Sequence, residues 1–120
     1  MLQQLTKQLV KECDACIERF WHMREQDAVP DFFRDVKPHA DQWHAHIAQW
    51  QQAAYAFIEQ HAPKYMHKTQ IDAAKEAFEQ FVVQSFYKET SKKRFEQSVL
   101  SVKYTCTVLQ TCMEEAAYVE

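Results

Sequence analysis

The sequence predicts an all-α protein, an up-and-down antiparallel four-helix bundle with a longer connection between its first two helices. Four segments repeat apolar residues every three or four positions, the spacing that lines one face of an α-helix. The three prolines, at positions 30, 38 and 63, fall where those segments stop or start. Glycine is absent, which argues against the tight hairpins, phosphate loops and dinucleotide folds that depend on it.

The first helix is expected over about residues 2–27. Its stripe is Leu2, Leu5, Leu9, Cys13, Cys16, Phe20 and Met23, widened by Ile17. Val29-Pro30 ends it, because the residue before proline is pushed out of the α region. Asp31 is placed to cap one short turn, with Phe32 and Phe33 expected to fold inward over the end of the core. Pro38 then opens a second helix, about 39–62, in the first-turn position proline favours. Its stripe is Ala40, Trp43, Ile47, Trp50, Ala54 and Phe57, closed by His61 before Pro63.

A third helix, about 69–87, carries Ile71, Ala74, Phe78, Phe81 or Val82, and Ser85 or Phe86. A fourth, about 92–117, carries Phe95, Val99, Val102, Cys106, Leu109, Met113 and Ala116. No Pro or Gly separates these two. One long helix over residues 69–117, forcing a swapped dimer, is the alternative; Lys88 and Lys92 on the continued stripe favour a turn.

The chain of 120 residues suits a single domain, and its net charge of −3 gives no global attraction to nucleic acid or acidic membranes. The Met1–Lys7 start lacks a signal-peptide core. The longest apolar run, 53–58, is too short to cross a bilayer, so a cytoplasmic location is expected.

Several stretches resemble the YppE-like family of small uncharacterised proteins from Bacillus-type Gram-positive bacteria. They are Asp31-Phe32-Phe33 with Val36-Lys37-Pro38, residues 63–71, Gln84-Ser85-Phe86, and Lys92-Lys93-Arg94-Phe95 with Ser98, Val99 and Tyr104. The match runs from about Asp31 to Leu109 in order; the first helix agrees only in pattern. The resemblance implies the same four-helix bundle. It implies no catalytic residue, and the cysteines lie outside the family pattern.

Cys13, Cys16, Cys106 and Cys112 are the metal candidates. Helices one and four, packed antiparallel, bring the first three close, with Cys112 a turn or two away, and four thiolates can hold zinc. The spacing Cys13–Cys16 is also plain stripe spacing, so buried reduced thiols are the preferred reading. His39, His44 and His46 begin helix two, with His22 ending helix one. No Glu-x-x-His or His-x-x-x-His pattern joins them. His61 and the His39–His46 end of the second stripe stay open to function.

Lys92, Lys93 and Arg94 start helix four, where cations oppose the helix dipole; Asp31, Asp35 and Glu89 are expected to compensate them. With Lys64 and Lys68 they are the candidates for anion or partner contact. No aromatic residues interleave with them to stack bases, which argues against nucleic acid. Trp21, Tyr55, Tyr87 and Tyr118 lie near the stripes and either widen the core or mark a partner surface.

No activated nucleophile or paired-carboxylate site is visible, and no cofactor is implied. The expected function is a non-enzymatic cytoplasmic interaction or accessory protein with an unidentified protein partner, as monomer or homodimer. A small metal- or anion-binding bundle is the alternative.

Overall fold

A computed structural model describes residues 1–118. The helices are α1 (Leu2–Glu25), α2 (Lys37–His61), α3 (Lys68–Gln84) and α4 (Lys92–Glu115), and no strand occurs among the described residues. Each helix runs antiparallel to the next, and α4 closes the ring against α1. The stripes meet in one core. Phe20 of α1 stacks on Phe95 of α4 at 4.3 Å, with Phe81 of α3 set edge-on against Phe95. Trp50 and Phe57 of α2 are fully or almost fully buried, and the Trp50 indole N–H donates to Thr6 Oγ1 at 3.1 Å.

A chain without glycine must end its helices some other way. Asp27 (φ 48°), Ala62 (φ 45°) and Ala117 (φ 50°) take the left-handed conformation instead. At the end of α1, Ala28 N–H reaches back to Met23 O and Asp27 N–H to Arg24 O, which satisfies carbonyls the helix leaves open. This stop ends α1 at Glu25, two residues before the expected boundary.

The connection to α2 holds a π-helical turn, Phe32–Val36. Asp31 Oδ1 accepts from Arg34 N–H at 3.0 Å, while Asp35 Oδ2 accepts from Asp31 N–H at 2.9 Å. The turn runs straight into α2, so α2 starts at Lys37 and Pro38 sits within its first turn. The expectation that Phe32 and Phe33 fold inward is corrected. Val36 is the residue that is buried, while Phe32 and Phe33 are 46% and 77% exposed. The turn packs along α2, with which it is continuous, and not over the end of the core. Only Val36, at the junction with α2, is buried there, and the two aromatics stay outside.

α3 and α4 are separate helices. α3 stops at Gln84, three residues earlier than expected, because the chain beyond it finds other partners. Thr90 Oγ1 donates to Gln84 O, and the Arg24 guanidinium of α1 donates to Lys88 O and Thr90 O. Carbonyls that a continuous helix would use internally are thus satisfied from the side.

Candidate functional site

The most unusual group in the bundle lies where α1, the start of α2 and the end of α3 meet. Glu12 is only 5% exposed although it is a carboxylate. Buried carboxylates need partners, and Glu12 has three. His39 Nε2 lies 2.6 Å from Glu12 Oε2, both terminal nitrogens of Arg19 lie 3.4 Å from it, and Cys16 Sγ lies 3.5 Å away. At 2.6 Å from a carboxylate oxygen the His39 Nε2 must carry a proton, since a bare nitrogen would oppose lone pair to lone pair. Arg19 Nη2, 3.2 Å from the same nitrogen, is therefore a neighbour and not a donor to it.

Arg19 makes its shortest bond to Ser85 Oγ, 2.9 Å, and its cation sits 4.6 Å from the centre of the Phe86 ring. Ser85 in turn donates to Val82 O. One side chain of α1 thus ties down the end of α3, and Glu12 ties down the start of α2. No buried side-chain nitrogen or oxygen among the described residues lacks a hydrogen-bond partner.

This cluster forms the back of an open cleft of about 450 Å³ whose apolar wall is Met23, Pro30 and Phe86. Arg19, His39, Arg34 and Asp35 supply its polar rim. Arg34 and Asp35 belong to the π turn, so the cleft adjoins the turn that carries exposed Phe32 and Phe33. Those two rings contact each other edge to face at 5.2 Å.

The chemistry available here is limited. Ser85 is fully buried with its hydroxyl engaged, and burial pushes the Cys16 thiol up to about 12, so neither is a ready nucleophile. Cys106 is likewise held up at about 12 by burial, and burial raises Cys13 further and Cys112 as well. Cys112 lies near the Tyr65 backbone, toward the other end of the bundle. Among the described residues no group of three or more His, Cys, Asp or Glu is arranged to hold a metal ion.

The histidines are not brought together. His44 Nε2 is 3.2 Å from Glu79 O and His46 Nε2 3.0 Å from Leu5 O, so each fastens α2 to a neighbouring helix. His61 packs against Phe57 and Tyr118, and His22 is exposed at the end of α1.

The five basic candidates do not form one surface. Lys64 and Lys68 precede α3 or begin it, whereas Lys92, Lys93 and Arg94 follow it, with a 17-residue helix between. Lys68 pairs with Glu59 and lies over Tyr55, Lys64 lies over Tyr65, and Lys92 lies over Trp21 at 4.9 Å. Lys93 and Arg94 are exposed. The expected compensation by Asp31 and Asp35 is corrected: both carboxylates fasten the π turn, and it is Asp27 that pairs with Lys88, at 2.6 Å. Trp21, Tyr55 and Tyr118 are half-buried against the core.

Comparison with known proteins gives consistent matches. The bacterial domain of unknown function DUF1798 matches residues 6–113. The uncharacterized protein YppE of Bacillus subtilis (strain 168) is 33% identical over 104 residues, which is 87% of this chain and 85% of that protein. Its crystal structure superposes with a TM-score of 0.92 at 29% identity, covering 98% of this chain and 96% of YppE. A Listeria innocua protein of unknown function has the same fold, with a TM-score of 0.90 at 23% identity over 98% of this chain and 94% of its own.

Proposed function

The chain belongs to the bacterial DUF1798 family, whose function is unknown, and we propose that it is a non-enzymatic cytoplasmic interaction protein that docks a partner protein at the π-turn end of its bundle. The observation that carries this reading is the exposure of Phe32 and Phe33 on a turn fastened at both ends by Asp31 and Asp35. Aromatic side chains held in place before binding lose little entropy on docking, and such residues dominate interface energies. The adjoining cleft offers a partner side chain the apolar wall of Met23, Pro30 and Phe86, with Arg19 and Arg34 at the rim for its polar groups.

Two further observations support the non-enzymatic part. The polar cluster satisfies itself, and the nucleophile types within it are buried and engaged or held protonated. Four free cysteines support a reducing compartment. The division of the basic residues between two ends of the bundle supports a protein partner over a nucleic acid, which favours a continuous basic track.

A photo-crosslinking amino acid at position 33, and as control at exposed Gln52, tests the reading in host cells. A discrete adduct is expected from position 33 alone. The captured protein, purified and titrated by calorimetry, should bind the wild-type chain. Phe32→Ser/Phe33→Ser should weaken that binding about tenfold or more, with no change in thermal midpoint. Equal adducts from both positions, or a complex indifferent to the double variant, would sink the proposal.

A further inference from the structure

α4 has a second face, and among the described residues most of it is uncovered, with Tyr65 and Gln70 adjoining it on one side. At 100° per residue, Gln97, Leu100, Tyr104, Thr107, Val108 and Thr111 share the side opposite the buried stripe. Leu100 and Tyr104 are 60% and 70% exposed. No charged residue falls on this side from Gln97 to Thr111, although a quarter of the whole chain is charged. The face is also more apolar than its composition reads. Thr107 Oγ1 donates to Lys103 O and Thr111 Oγ1 to Thr107 O, so both hydroxyls are engaged by their own helix.

The ends of the same face are charged, and with opposite sign. Exposed Lys93 stands on it at the N-terminal end and exposed Glu115 at the C-terminal end, while Arg94 and Glu114 lie on its opposite edges. A two-fold contact sets each patch against its own copy, so it tolerates only a neutral centre with oppositely charged ends. This face has that pattern, and its midpoint is Tyr104.

We propose that two copies of this chain associate through α4, antiparallel, with the two-fold axis at Tyr104. Counting outward from that axis, position 93 of one copy stands opposite 115 of the other, and both lie within about 20° of the Tyr104 direction. Lys93 of each copy thus meets Glu115 of its partner. Leu100 stands opposite Val108 of the other copy. There a cleft of about 380 Å³ opens between Tyr65 and Gln70 on one side and Tyr104, Thr107, Val108 and Thr111 on the other. A leucine at that position is the knob for this hole. The proposal uses none of the π-turn residues and stands independently of the docking reading above.

Analytical ultracentrifugation of the full chain over a range of micromolar concentrations tests it. The wild type should show a monomer–dimer equilibrium. Tyr104→Glu places two like charges at the axis and should give a monomer with unchanged helicity, its thermal midpoint matching the wild type's at concentrations where the wild type is monomeric. Glu115→Lys should weaken the dimer about tenfold, and adding Lys93→Glu should restore it. A wild type that stays monomeric throughout overturns the proposal. So does a dimer that survives Tyr104→Glu, or one whose charge-reversed form is not rescued by the second reversal.

Discussion

The two flanks of α1 meet very different surroundings. On one, Cys13 and Phe20 face a dry interior shared with Trp50, Phe95 and Cys106, all buried. On the other, Glu12 and Arg19 form a charged seam with His39 and Ser85. The dry side holds the helices together without saying much about their rotation, because apolar burial has no direction. The seam is directional. It fixes where α2 begins relative to α1 and α3, and therefore where the π turn presents Phe32 and Phe33. The difference separates stability from aim within a single helix.

The sharpest break on the dry side is Trp50→Ala. It empties the largest fully buried side chain and removes the donor to Thr6. A loss of ~3–5 kcal/mol in urea denaturation is expected. An unchanged midpoint would mean that the stripe is not core.

The seam should respond less, and differently. Glu12→Ala leaves Arg19 and His39 without their shared acceptor, at a cost of ~1–3 kcal/mol. Glu12→Gln keeps an oxygen for His39 Nε2–H and should recover part of that. The double variant Glu12→Leu/Arg19→Leu should lie nearer the wild type than Glu12→Leu alone, because replacing a whole buried pair costs less than orphaning one member. A double variant as unstable as the sum of its singles would show the two residues to be uncoupled, and the seam not to be a unit.

The same contrast explains what could be read in the sequence. Trp50, Phe57, Phe95 and Leu109 announce themselves because a dry stripe repeats every three or four residues. Glu12 does not. It stands beside Cys13 at the edge of the stripe, where a carboxylate reads as solvated, and its partner His39 is 27 positions away. The only local trace is the Glu12–Arg19 spacing of two helical turns, which puts opposite charges on one face. Phe32 and Phe33 were misdirected for a related reason. Their hydrophobicity points to the core, but the turn lies along α2 with only Val36 buried, and they stay outside. Periodicity reports burial along one helix. It does not report which flank residues of three helices converge.

The smallest effect belongs to the dry side and concerns its thiols. Burial raises Cys16 and Cys106 from the usual value of 9.0 to about 12, and Cys13 in the same direction. In the unfolded chain these thiols ionise near 9; in the folded chain they stay protonated. The unfolded state therefore binds fewer protons above pH 9, and stability falls as pH rises. Their contribution is complete below the unfolded value and is lost progressively from about 9 toward about 12. At pH 9, where half the unfolded thiols are ionised, each costs ~0.4 kcal/mol, or about 1 kcal/mol for the three. Urea midpoints at pH 8 and pH 9 read this directly. Cys112 is raised by burial too and adds to the decline, so Cys106→Ala should remove about a quarter to a third of it whatever its own stability at pH 8. Cys16 also donates to Glu12, so Cys16→Ala joins the two sides of α1 in one measurement. Removing it should flatten the alkaline decline equally and should also lower stability at pH 8 by loosening the seam. A Cys16→Ala variant that changes only the alkaline slope would mean that the thiol belongs to the dry core alone.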